Sequence, residues 1–322
     1  MTRKVDRGVQ LEQPRLGARV TVATDEFFGA KERLIDPADP VFVEGKYDDH
    51  GKWMDGWESR RRREPGLDWC VVRLGIPCII LGFNVDTSHL TGIFPPRVWV
   101  EACFIDEEVP EEGWVEIVPQ TDIGGDTHNY LDVRDDTVFT HVRLHIYPDG
   151  GVARLRIFGE VRADFTDVDG YVDLAAVEHG GRPTDCSDQH YGNVHNLLAP
   201  GRSRYMGDGW ETARRRGPGN VWVIIALGQP GIIERAEIDT AHFKGNYPDR
   251  VSLEGAMFDS DDAASNDSPA WKTLLVESKL KMDQQHYFDD TLEDIGPVSH
   301  VRVSIYPDGG ISRVRLFGQV HG

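Results

Sequence analysis

Cysteine is scarce in this sequence. Its four residues, Cys70, Cys78, Cys103 and Cys186, form no CxxC pair, which excludes a zinc ribbon or a thioredoxin-like redox site. Cys70 and Cys78 stand in apolar runs, where a thiol behaves as a small buried hydrophobe, and a reducing, cytoplasmic setting is expected. No apolar run approaches the roughly 20 residues of a membrane span, and the opening MTRKVDRGVQ has no apolar core of the secretory type. Positive charge is in deficit: 35 Lys and Arg face 54 Asp and Glu, a formal net charge of −19. Such a chain lacks the basic face that displaces phosphate counterions, so neither nucleic acid nor a membrane surface is an expected partner. The sequence also has no GxSxG elbow, P-loop, dinucleotide fingerprint or HExxH helix.

With 39% apolar and 28% charged residues, the chain is composed as an ordinary globular protein. Its 322 residues suggest two domains at roughly 150 residues each, and internal repetition turns that prior into an expectation. DGWESRRRR (residues 55–63) returns as DGWETARRR (208–216), identical at seven of nine positions and displaced by 153. The same displacement carries DTSHLTGIFP (86–95) onto DTAHFKGNYP (239–248). Further on, residues 141–161 match residues 300–320 at 14 of 21 positions, now displaced by 159. The six extra residues of the second copy fit best in the polar stretch 259–269. Upstream, Asp25, Phe28, Gly29 and Leu34 align with Asp188, Tyr191, Gly192 and Leu197 at a displacement of 163, so the first copy carries ten extra residues, placed in the acidic stretch 36–50. Two copies of this length make a duplicated domain, not a solenoid. The organisation read from these matches is an N-terminal extension (1–20), a first repeat (21–165), a linker (166–182) and a second repeat (183–322).

Within a copy the segments are short, β-branched and aromatic, punctuated by Gly, Pro and Asp. Val142, Leu144 and Ile146 alternate with Arg143 and His145, the period of a half-buried strand. Pro148 to Gly151 is a turn with a mechanism, and Leu155 and Ile157 then complete a hairpin with the preceding strand. Residues 69–74, 79–85 and 97–104 read as three further strands, and residues 28–34 as a turn or two of helix. Many short strands with few helices predict an all-β chain: a tandem duplicated antiparallel β-sandwich of jelly-roll type.

Polar residues that stand in both copies are the candidate functional groups. Glu58, with Arg61 and Arg62, corresponds to Glu211, with Arg214 and Arg215. A guanidinium fork matches a carboxylate, so these arginines either grip an anionic ligand or pair with the glutamate to hold a loop. Asp86, Thr87 and His89 correspond to Asp239, Thr240 and His242. An Asp that orients a His suits acid–base work; the alternative is Asp and Thr capping loop amides. As a metal site the spacing is poor. The loop that follows differs at one notable position, Ile93 in the first copy and Asn246 in the second, and only Asn246 can hydrogen-bond a polar ligand. Arg154, Arg156, Arg313 and Arg315 fall on the solvent side of the last strand, their stems covering the core. His128 and His286 align as secondary acid–base candidates. Tyr147, Pro148 and Asp149, and Tyr306, Pro307 and Asp308, read as turn chemistry.

Taken together, DGWE[ST]xRRR, Val72-Arg-Leu-Gly75 and Ala226-Leu-Gly228 at strand ends, [VI]DTxHxxGxxP and IYPDGGxxRxRxFG, each present twice, resemble the allantoicase family over residues 21–322. The resemblance implies tandem jelly rolls of galactose-binding-like type, hydrolysis of the C–N bond of allantoate to give ureidoglycolate and urea in purine degradation, and a homo-oligomer. It implies no required cofactor or metal, a divalent ion remaining open. On that reading Arg214 or Arg215, or Arg61 or Arg62, grips the substrate carboxylate. His242 and Asp239 act as acid–base and orienter, Glu211 as second base, and Asn246 and Thr240 meet a ureido arm. Glu58, Asp86 and His89 are the counterparts in the first copy, and which copy carries the site stays open. The competing reading is a non-catalytic, galactose-binding-like module for carbohydrate or ureide.

Overall fold

The computed structural model of the chain describes residues 8–163, 165 and 171–321. The expected extension and linker lie partly outside them, at residues 1–7 and 166–170. The chain divides into two compact units, residues 1–162 and 163–322. Each is built of antiparallel strands, and among the described residues the only helices are short 3-10 turns. Among the described residues, no helix is long and apolar enough to cross a membrane. The duplicated antiparallel all-β fold is as the sequence predicts.

The first unit contains β1 (Val9–Gln10), β2 (Arg19–Ala23), β3 (Tyr47–Asp48), β4 (Gly51–Lys52), β5 (Trp57–Glu58), β6 (Asp68–Asp86), β7 (Arg97–Cys103), β8 (Val115–Asp122), β9 (His128–Asp132), β10 (Val138–Tyr147), β11 (Gly151–Val152) and β12 (Arg154–Val161). The expected strands at 69–74 and 79–85 are one strand of 19 residues. Residues 70–73 of β6 run between β2 and β10, whereas residues 82–86 run between β12 and β9. One strand thus serves both faces of the sandwich. The change of face falls near Gly75, where a Cβ would lie 1.8 Å from the Leu16 carbonyl oxygen; only glycine admits that approach.

The second unit repeats this plan with β13 (Val172–Asp173), β14 (Arg182–Cys186), β15 (Trp210–Glu211), β16 (Val221–Asp239), β17 (Arg250–Ala256), β18 (Lys272–Lys279), β19 (Gln285–Phe288), β20 (Val298–Tyr306), β21 (Gly310–Ile311) and β22 (Arg313–Val320). Its core gathers alternate residues of the central strands, among them Val223, Ile225, Ile238, Leu253, Val301, Val303 and Leu316, around Trp210. Burial of aliphatic side chains on this scale is the main source of stability.

Several local expectations change. β10 and β12 form no hairpin: both pair with β6, and the residues between them, β11, pair instead with β5. The proline-glycine segment carries the chain past β6 rather than folding it back. Residues 9–10 and 172–173, within the expected extension and linker, are edge strands on β12 and β22. The six-residue insertion is divided. The pair Arg97 and Asp122 corresponds to Arg250 and Lys279, so four residues enter between β17 and β18, and the other two enter between β19 and β20. The ten extra residues of the first unit include the β3–β4 hairpin. Residues 31–35 form the helical turn expected near there.

The arginines of the last strand are not on a solvent face. Arg154, Arg156 and Arg313 are 1%, 7% and 2% exposed, because the loop before the Trp-Glu strand folds over them. Arg313 donates to the carbonyls of Gly201, Asp208 and Ser312 and to the Asp208 carboxylate. Arg154 does the same for Ala38, Asp55 and Ala153. A guanidinium with several fixed donors suits this buried work as a lysine would not.

Candidate active site

The two-residue strand β15 sets the site. Successive strand residues point to opposite faces, so Trp210 is fully buried while Glu211 faces outward, half-buried. The indole nitrogen of Trp210 donates to the Asp188 carbonyl at 2.8 Å, which fixes the strand from below. On one side Tyr191 and Gly192 donate their amides to the Glu211 carbonyl; on the other, β21 pairs with β15. In the first unit Trp57, Asp25, Gly29 and β11 repeat every one of these contacts around Glu58.

The Asp-Thr-x-His segment forms a corner that delivers the next loop. Thr240 is fully buried, and its hydroxyl donates toward the carbonyls of Lys281 (2.6 Å) and Gln284 (3.0 Å) and accepts from the Gln284 amide. Asp239 is also fully buried; it accepts from the Ala241 amide and pairs with Arg202 at 3.1 Å. His242 adopts φ +70°, donates its amide to Asp283, and its Nε2 lies 3.0 Å from the Ser203 carbonyl. The first unit repeats the corner: Thr87 ties Gly124 and Thr127, Asp86 accepts from Ser88, and His89 has φ +67° and donates to Asp126. These groups hold backbone in both copies, and His89 is exposed.

Beyond the corner, the Asn246 carbonyl accepts from the Gly310 amide at 2.8 Å, as the Ile93 carbonyl does from Gly151 at 2.7 Å. The approach requires Gly309, at φ +132°, where a Cβ would lie 2.5 Å from the Asn246 oxygen. The backbone at position 246 is therefore the same in both units, and only the side chain differs. In the second unit the Asn246 amide donates to Glu211 Oε1 at 2.5 Å and touches Met206 Sδ at 3.6 Å. Asn246 and Glu211, together with Arg214, Tyr191, Tyr247 and Asp308, line a cavity of about 430 Å³, within the range of small-molecule sites. Arg214 is exposed, and its guanidinium makes no ion pair or hydrogen bond with any described residue. Of the sequence candidates, Glu211, Arg214 and Asn246 meet at this cavity. Asp239, Thr240 and His242 support its loop without lining it. Arg215 is turned away, its guanidinium held by the Pro218 carbonyl at 2.9 Å and its amide by Asp308.

In the first unit Glu58 faces no amide, because Ile93 stands where Asn246 does. Burial, with the nearby Asp48 adding like charge, pushes the Glu58 carboxyl up to about 7. Arg61 and Arg62 line a different cavity, described below, and Arg62 is tied to Asp68 at 2.7 Å.

Sequence reading missed the tyrosines, although Tyr191 belongs to the repeated Phe/Tyr-Gly pair. It also took Asp308 for turn chemistry alone, whereas Asp308 and Asp149 cap the amides of Arg215 and Arg62. His128 and His286 do not correspond. His128 pairs in register with Asp86, and His286 with Ile238, so His286 matches Asn129. His286 accepts the Lys281 amide and sits beside the Ile238 carbonyl, a staple that burial keeps below the usual histidine range. Among the described residues, no group of three or more His, Cys, Asp and Glu is placed to hold a metal ion.

Comparison with known proteins adds three findings. The family model of the allantoicase repeat matches residues 9–162 and again 172–321. A probable allantoicase of Burkholderia mallei is 52% identical over 97% of this chain and 94% of its own, and one of Pseudomonas syringae is 47% identical over 98% and 97%. The crystal structure of an allantoicase from Saccharomyces cerevisiae superposes with a TM-score of 0.83 at 37% identity, covering 97% of this chain and 93% of that one.

Proposed function

The chain belongs to the allantoicase family and hydrolyses allantoate to ureidoglycolate and urea, a step of allantoin degradation; we propose that this reaction takes place in the Glu211–Asn246 cavity of the second unit. The observation that carries the assignment is the Asn246–Glu211 hydrogen bond beside an unpaired Arg214, an arrangement that Ile93 removes from the first unit.

Allantoate carries a carboxylate and two ureido arms on one carbon. Its carboxylate meets the Arg214 fork. The Asn246 side-chain oxygen, oriented by the bond its amide makes to Glu211, accepts a ureido N–H. Glu211 moves the protons. As the C–N bond to the departing arm breaks, the N–H proton of the retained arm passes to Glu211 and on to the departing nitrogen, which leaves as neutral urea. The N-carbamoyl imine left behind takes up water, hydroxide to carbon and proton to nitrogen, giving ureidoglycolate. A positioned carboxylate contributes about 10²–10⁴-fold by such transfer, and holding both arms supplies much of the rest. Asp239, Thr240 and His242 act through the loop they hold.

The test is steady-state urea release from allantoate by the purified protein and by Glu211→Gln. The reading expects turnover in the parent and a loss of about 100-fold or more in kcat for the variant. Near-normal release by Glu211→Gln would refute the assignment, and allantoate binding without turnover by the parent would leave only a ureide-binding protein.

We further infer a cytoplasmic homo-oligomer. Three buried free thiols suit a reducing compartment, and the outermost strands β8 and β18 expose Val115 and Val276. Light scattering should return a multiple of 36.2 kDa; the single-chain mass would contradict it.

A further inference from the structure

The first unit has a cavity of its own that the reaction does not use. Residues 60–64, with Thr24, Asp25 and Asp68, line an open cavity of about 460 Å³. Four guanidinia face three carboxyls there, in a protein whose net charge is −19. Two of the arginines are committed: Arg60 to Asp25 at 2.6 Å and Arg62 to Asp68 at 2.7 Å. Arg61 and Arg63 are exposed and make no ion pair or hydrogen bond with any described residue. The arch of residues 60–64 is built rather than loose, since Asp25 also accepts the Arg60 amide and Asp149 the Arg62 amide.

A second observation concerns the cavity floor. Asp68 is 1% exposed. Its Oδ1 accepts from Arg62 and from the Thr24 hydroxyl, but its buried Oδ2 has no hydrogen-bond partner. An acceptor left unpaired under cover costs about 1–3 kcal/mol or more, so the site favours a ligand that brings an N–H donor. The second unit keeps the arch but not its floor: Asp188 and Asp308 cap the Ala213 and Arg215 amides, while Val221 stands for Asp68, Ala213 for Arg60 and Gly217 for Glu64.

We propose that the Arg61–Arg63 cavity of the first unit is a second, separate binding site, and that it takes a small carboxylic acid bearing amide or ureido N–H groups. The carboxylate meets Arg61 and Arg63 at the rim while the N–H group donates to Asp68 Oδ2 on the floor. A bare polyanion such as phosphate satisfies the rim but is repelled by the floor.

The experiment is calorimetric titration of the full chain carrying Glu211→Ala and Arg214→Ala, which removes the second-unit cavity from the measurement. The probes are N-carbamoylglycine, acetate and inorganic phosphate. N-carbamoylglycine should bind saturably at one per chain, at least fivefold more tightly than either other probe, and Arg63→Ala should weaken it by about tenfold. Asp68→Asn should abolish its advantage over acetate; if that variant fails to fold, the exposed Arg63→Ala and the probe ranking still decide. N-carbamoylglycine binding no tighter than acetate, or unaffected by Arg63→Ala, would overturn the proposal. Urea release by Glu211→Gln judges the catalytic assignment on its own, so the two can fail independently.

Discussion

At the scale of single residues, the two units share a backbone and differ in what it carries. Asn246 and Ile93 occupy the same docked loop position, and only Asn246 bonds the carboxylate beside it. Glu58, without an amide partner, is held up to about 7 by burial and by Asp48, and Glu12 beneath β12 is likewise raised to about 7 by burial despite Arg156. A carboxyl whose folded value lies above its ordinary 4.5 binds its proton more tightly when folded. Its contribution to stability is therefore greatest below pH 4.5, declines as the pH rises towards 7, and is a full penalty above that. Glu58→Gln should match the parent in urea denaturation at pH 4 and exceed it at pH 8 by about 1–2 kcal/mol, screening by solvent included. Equal stabilities at pH 8 would contradict this. The Asn246–Ile93 difference was legible in the sequence because the repeats supply their own comparison. The raised carboxyl was not, since it depends on what the β3–β4 insertion brings near Glu58.

At the scale of elements, buried arginines and a threonine corner fix the loops that make the cavity. Arg313 gathers residues 201–208, which in turn present Met206 to Asn246 and the Ser203 carbonyl to His242. A lysine there supplies a point charge where four directed bonds are needed. Arg313→Lys should cost about 2–4 kcal/mol and raise the KM for allantoate, measured as a urea midpoint and a saturation curve; an unchanged midpoint would show that the loop stands without the fork. The alternation of Arg154 and Arg156 with apolar residues was read correctly as a strand, but alternation cannot report a loop that later covers the polar face. The proline-glycine turn misled for a related reason. Turn chemistry is local, while the choice to pass β6 rather than pair back onto β10 is made by the 19-residue strand between them. The Asp-Thr-x-His motif was visible for the same reason it is repeated: its hydrogen bonds hold the backbone of both units.

At the scale of the whole molecule, one fold has been duplicated and its copies carry different side chains at equivalent places, Asn246 against Ile93 and Val221 against Asp68. The all-β class and the tandem plan were legible because the repeats kept their strand-forming and turn-forming residues in step. Of the candidate site, the sequence named Glu211, Arg214 and Asn246, which line the cavity, and also Asp239, Thr240 and His242, whose side chains bond neighbouring loops instead. An overall charge of −19 repels an anionic substrate at long range, so on the proposed assignment the attraction is local and comes from Arg214, at a cavity where the Asn246 amide is already bonded to Glu211. The central claim is that hydrolysis belongs to the second unit because Asn246 stands where the first has Ile93. The most direct test is kcat/KM for allantoate with Asn246→Ile, which gives the second unit the first unit's residue on an unchanged backbone. A fall of about 30-fold or more, with an unchanged melting temperature, is expected from losing an oriented hydrogen bond and the carboxylate it positions; an undiminished kcat/KM would contradict the account.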